Sequence, residues 1–119
     1  MATKRRGKYN VAPKSKRTLS GTTYMSKLEK DFRVHLNLLT KATALKNRVV
    51  AIEEQVPYQI EVNGVKICKY LLDFKVTYGD GRVDYVDTKG VVTPTYRLKA
   101  KLLFATHDIK IHEVKRGDF

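Results

Sequence analysis

The chain has 119 residues, is 42% apolar, and carries 24 Lys+Arg against 12 Asp+Glu for a formal charge of +12. That length suits one domain; no apolar run approaches the roughly 18 residues needed to span a bilayer; and a single cysteine, Cys68, excludes an internal disulfide framework and fits a reducing compartment. The charge excess makes a polyanion the expected partner, nucleic acid first, against a bland reading in which it serves solubility alone.

Residues 1–17 contain Lys4, Arg5, Arg6, Lys8, Lys14, Lys16 and Arg17 and no acid. With Gly7, Pro13 and few large apolar groups, this stretch cannot bury enough surface to fold alone. Positive charge without an apolar segment behind it is not a secretory signal. Residues 1–20 are therefore predicted to be a flexible basic arm that lies on DNA phosphates, and residues 21–119 the single folded domain; a plain solubilising tail is the alternative.

Ser26-Lys27-Leu28-Glu29 has capping-box form and opens a predicted helix. Leu28, Phe32, Leu36 (or His35) and Leu39 recur at helical spacing, Val34, Leu38 and Leu45 widen the stripe, and the helix is expected to run to about Lys46. Glu29 has two candidate uses: a local cap, or an acid reaching across to a site elsewhere. From Val49 the pattern is β-like, with a polar interruption at Glu53-Glu54-Gln55 and a proline, Pro57, that belongs on an edge strand or at a break. Asn63-Gly64 is a strong hairpin signal, leading into a long strand that ends at Tyr78.

The second hairpin, residues 70–90, carries the chemistry. A three-residue loop, Gly79-Asp80-Gly81 with Gly81 left-handed in a G1 bulge, pairs Tyr78 with Arg82 and sets Asp73 opposite Asp87. Lys89, two residues past Asp87, shares their face, while Phe74, Val76 and Val86 point to the core. A two-residue Asp80-Gly81 turn would put the two acids on opposite faces instead. Two carboxylates so placed repel, and a divalent cation resolves the conflict. Asp73, Asp87 and the Thr88 carbonyl are oxygen donors suited to Mg²⁺ or Mn²⁺, and Lys89 can orient water or offset charge on phosphate. Exposed acids and lysines on a solvent-facing hairpin are the bland reading of the same residues.

Thr93-Pro94 starts a second helix with apolar Tyr96, Leu98, Leu102, Leu103 and Ala105 and basic Arg97, Lys99 and Lys101, expected to end near Thr106-His107. Residues 109–114 alternate as a last strand. The expected order is α-β-β-β-α-β, an α/β (α+β) mixed sheet flanked by helices. His35, His107 and His112 are too scattered for a zinc site or an HNH-type nuclease centre.

The set Glu29, Asp73 and Asp87-Thr88-Lys89, on a helix and two adjacent strands, resembles the PD-(D/E)xK nuclease superfamily. More closely, the chain is similar to a family of small phage proteins related to Holliday-junction resolvases, long catalogued as a domain of unknown function. Gly7-Lys8-Tyr9-Asn10, Ser26-Lys27-Leu28-Glu29, Leu72-Asp73-Phe74, Val86-Asp87-Thr88-Lys89-Gly90, Thr93-Pro94-Thr95-Tyr96-Arg97-Leu98-Lys99 and Ile109-Lys110-Ile111-His112-Glu113-Val114 carry that likeness. Tyr70-Leu71-Leu72-Asp73 departs from it, lacking the small residue that often precedes the strand acid.

The resemblance implies a restriction-endonuclease-like fold and catalytic Glu29, Asp73, Asp87 and Lys89. It implies metal ligation by Asp73, Asp87, Thr88 and Glu29, with Gln55 as a polar neighbour. It further implies a Mg²⁺- or Mn²⁺-dependent endonuclease for branched or four-way-junction DNA, acting as a homodimer in the cytoplasm of a phage host. Lys4, Arg5, Arg6, Lys8, Lys14, Lys16, Arg17, Arg97, Lys99 and Lys101 are the expected phosphate contacts. A non-catalytic DNA-binding protein of the same fold, and a cleavage subunit of a larger recombination or transposition complex, are the competing expectations.

Overall fold

The computed structural model describes residues 12–119. A 3₁₀ turn at Lys14–Arg17 leads into a small antiparallel hairpin, β1 (Thr18–Leu19) and β2 (Thr22–Thr23), and then helix α1 (Lys27–Leu39). The main sheet follows as β3 (Val49–Val62), β4 (Val65–Tyr78), β5 (Val83–Thr88), helix α2 (Pro94–His107) and β6 (His112–Val114). Its strand order is β3-β4-β5-β6, antiparallel except for the parallel β5–β6 pair. From α1 onward the order is the expected α-β-β-β-α-β in a mixed sheet. Among the described residues, no helix is long and apolar enough to cross a membrane.

The stretch from residue 12 to 20 takes up regular structure because Arg17 ties it down. Its Nε donates to the Ala12 carbonyl at 2.9 Å and its Nη1 to the Tyr24 carbonyl at 2.7 Å. Lys4, Arg5, Arg6 and Lys8 lie outside the described residues.

Ser26 caps α1 as its sequence requires, accepting from the Glu29 N–H at 3.0 Å. The helix stops at Leu39 rather than Lys46, because the next segment is held against the sheet as turns. Arg48 donates to the Ala42 and Thr43 carbonyls, Arg82 donates to the Lys46 carbonyl, and the Gly79 N–H donates to the Arg48 carbonyl at 2.8 Å. A Cβ on Gly79 would come within 2.8 Å of the Leu45 carbonyl oxygen, so the close approach needs glycine there.

Pro57 sits in β3, an edge strand, where its missing N–H breaks no interior ladder. The polar interruption does not split β3; it becomes an irregularity at Gln55, whose φ is 51° and which is skipped between the pairs Glu54↔Phe74 and Val56↔Leu72. The last strand is shorter than expected. Asp108 ends α2 in the left-handed conformation, Ile109 packs into the core, and only His112–Val114 reach β5.

Along β4, Tyr70, Leu72, Phe74 and Val76 alternate into the interior. Phe74, Val76 and Val86 join Phe32 and Leu36 of α1 in one apolar cluster, where the Phe32 and Phe74 rings meet edge-on at 5.4 Å. Tyr70 and Leu72 join Ile60 and Tyr96, Leu103 and Ile109, from α2 and the segment after it, in a second cluster. Asp73 falls in the sequence at the junction of the two.

Candidate metal centre

The register that sequence reasoning required is the one formed. The Tyr78 N–H donates to the Arg82 carbonyl and the Gly81 N–H to the Tyr78 carbonyl, both at 2.9 Å, with Gly81 at φ 92°. The ladder then runs Thr77↔Val83, Val76↔Asp84, Lys75↔Tyr85 and Phe74↔Val86. One step further the acids replace backbone carbonyls as acceptors. The Asp73 N–H donates to Asp87 Oδ1 at 2.9 Å, and the Thr88 N–H and hydroxyl donate to Asp73 Oδ2 at 3.0 and 2.9 Å. Each acid thus satisfies a donor of the opposite strand where the ladder has ended.

Glu29 joins from α1. Its Oε1 accepts from the Met25 N–H at 3.0 Å and its Oε2 from Gln55 Nε2 at 3.0 Å; the same amide lies 3.4 Å from Asp73 Oδ1. The Glu29 carboxylate thus ties back to the residue before the Ser26 cap, rather than to the cap's own N–H, and is linked to Asp73 through Gln55. On the other side, Lys89 Nζ is 3.9 Å from Asp87 Oδ2 and 4.1 Å from the centre of the Tyr96 ring. The chain Glu29, Gln55, Asp73, Asp87, Lys89 draws on α1, β3, β4, β5 and the turn after it.

Burial is uneven. Glu29 and Asp87 are buried, Asp73 and Lys89 are half-exposed, and Gln55 is exposed. Burial, reinforced by the Asp73 carboxylate, pushes Glu29 up to about 7. Burial also raises Asp87, against the lowering effects of the Asp73 N–H and Lys89.

Among the described residues, no three His, Cys, Asp or Glu side chains converge into a ready-made metal cage. The donor set nevertheless fits a hard cation. It is all oxygen, the Asp73 carboxylate disfavours the charged form of Glu29, and Asp73 is the carboxylate open to solvent. Thr88 holds Asp73 through its N–H and hydroxyl, leaving its carbonyl as the expected ligand.

Two tyrosines escaped the sequence reading as site residues. The Tyr70 hydroxyl donates to Asp87 Oδ2, and the Tyr96 ring underlies Lys89. The available signal was a tyrosine in an apolar register, whose hydroxyl needs a partner when buried. Of the expected phosphate contacts, Lys14, Lys16, Arg97 and Lys101 are exposed, Arg97 and Lys101 one turn apart on α2. Lys99 is half-buried, with Nζ 3.5 Å from the Lys69 carbonyl, and the Arg17 guanidinium is committed to its own chain.

Residues 6–117 match the model of a family described as "Protein of unknown function (DUF1064)". No curated protein and no solved structure matches the chain.

Proposed function

We propose that this chain, which belongs to the DUF1064 family, is a divalent-metal-dependent DNA endonuclease for branched DNA, of Holliday-junction resolvase type. One observation carries the reading: Glu29, Asp73, Asp87 and Lys89, from separate elements, form one connected polar chain in a protein of charge +12. Acids clustered in a polyanion-binding protein oppose binding unless a cation joins them.

Mg²⁺ or Mn²⁺ held by Asp73, Asp87, the Thr88 carbonyl and Glu29 would polarise the scissile phosphate and lower the pKa of water. The protein's own contribution is orientation and charge. Thr88 fixes the Asp73 carboxylate, and Tyr70 and the Asp73 N–H fix that of Asp87. Lys89, held between Asp87 and the Tyr96 ring, presents its ammonium to charge developing on the phosphate. Arg97, Lys101 and the basic N-terminal residues bind the DNA backbone. A symmetric homodimer would supply two centres for two incisions, in the cytoplasm of a phage host.

The test is cleavage of a four-way junction, a linear duplex and single strands, with Mg²⁺ or EDTA, by wild type, Asp87→Asn and Lys89→Met. The expected result is metal-dependent cutting of the junction, reduced at least 100-fold in both variants. Equal cutting by Asp87→Asn overturns the site, and equal cutting of linear duplex overturns the resolvase assignment. A second reading, a non-catalytic DNA-binding protein, gains weight because the carboxylates already accept hydrogen bonds from their own chain. Binding without cutting under either metal selects it.

A further inference from the structure

Beside the acid–lysine chain lies a cleft of about 280 Å³ lined by Tyr96, Lys101, Phe104, Ile109, Lys110 and Glu113 among others. It adjoins the candidate centre through two residues. Tyr96 is the ring under Lys89, and Glu113 is the register partner of Asp87 across the β5–β6 pair. We propose that this cleft receives a single unpaired nucleobase of the DNA, next to the centre where the strand is cut; the inference rests on the nuclease reading and gives it a source of selectivity for branched DNA.

Four features support this occupant. The volume lies at the low end for small-molecule pockets, suited to one ring system. Phe104 stands 55% exposed at its edge, an aromatic face on which a base can stack. Lys101 and Lys110 are exposed at the same cleft and match the phosphates that flank an extruded nucleotide.

The buried end supplies polar groups for a base edge: the half-buried Glu113 carboxylate accepts, and the buried Tyr96 hydroxyl, which lies beside that carboxylate without forming a well-aligned hydrogen bond, can donate. Nothing about packing the second apolar cluster requires it, since phenylalanine would fill the same ring position. A fully paired duplex keeps its bases stacked and cannot fill the cleft, whereas bases at a branch point or bulge are extruded at low cost.

Binding in EDTA tests this without requiring cleavage. Fluorescence anisotropy compares three labelled duplexes: fully paired, with a one-nucleotide bulge, and with the same bulge made abasic. Wild type is expected to prefer the base-bearing bulge over both others by about tenfold, the worth of one base stacked on an aromatic ring. Phe104→Ala, at an exposed position, should reduce that preference to within about twofold and leave the paired duplex unchanged. Lys110→Gln should weaken the two bulged duplexes, whose extra nucleotide carries the phosphates it matches, more than the paired one, and equal weakening of all three would count against the cleft. Equal binding of base-bearing and abasic bulges by wild type, or an undiminished preference in Phe104→Ala, overturns the inference. If DNA is bound and cut but the bulged base is ignored, the cleft assignment alone fails; if no DNA form binds, the nuclease reading fails with it.

Discussion

Glu29 concentrates the tension in the site. It is buried beside Asp73 and is pushed up to about 7 from an ordinary value of 4.5. As pH rises, the unfolded chain therefore gives up this proton first. The neutral side chain's contribution to stability is fully present below about pH 4.5, falls between about 4.5 and 7, and is gone above. The span corresponds to roughly 3 kcal/mol. Glu29→Gln mimics the protonated form, so its Tm should match that of wild type at pH 5 and exceed it by several degrees at pH 8. Adding Mg²⁺ at pH 8 should raise the Tm of wild type and leave Glu29→Gln nearly unmoved, because the cation relieves the same repulsion. Thermal melts at the two pH values check this, and a Tm gap independent of pH refutes it. The position of Glu29 was only half legible. A capping box explains its place at the third residue of a helix turn, but the reach to Asp73 runs through Gln55, whose left-handed backbone no propensity rule anticipates.

At the level of elements, the hairpin was the most legible part, because strand period and loop length leave two registers and chemistry favours one. The loop forms with Gly81 at φ 92°, and the ladder Phe74↔Val86 places both acids where β4 and β5 separate. The end of α1 was not legible. Leu45 extends the helical stripe in sequence, but Arg48, Arg82 and Gly79 bind the carbonyls of residues 42–48 and hold that segment in turns. Likewise residues 109–111 alternate like a strand but serve the second cluster, since β6 pairs only beside the short β5. Local pattern marked where the two helices start, while long-range contacts decided where α1 stops and where β6 begins. The loop geometry can be isolated from packing. A Cβ on Gly81 or on Gly90 meets nothing within 4 Å, yet only Gly81 has positive φ. Gly81→Ala should therefore cost about 1–2 kcal/mol, while Gly90→Ala stays within about 0.5 kcal/mol. Urea melts of the two variants check the contrast, and a neutral Gly81→Ala would remove the left-handed residue from the account of the register.

Across the whole molecule, charge and chemistry are divided. The buried acids are Glu29 and Asp87, while exposed cations are spread over the described surface, with Arg97 and Lys101 on α2 and Lys14 and Lys16 near the N-terminus among them. Residues 1–11 alone contain Lys4, Arg5, Arg6 and Lys8 and no acid, and the residues that Arg17 fastens begin at Ala12. Removing residues 1–11 thus subtracts four cations and keeps both partners of the Arg17 guanidinium, Ala12 and Tyr24, in the chain. If all four contact phosphates, each releases counterions on binding, and the slope of log affinity against log salt should become shallower by about 3.6. Affinity should fall steeply at low salt and differ less as salt rises, because the lost contribution is itself electrostatic. A duplex titrated at several salt concentrations measures the slope for both chains. An unchanged slope would make the N-terminal residues a solubilising segment and move the phosphate contacts onto Arg97, Lys101 and the rest of the folded domain.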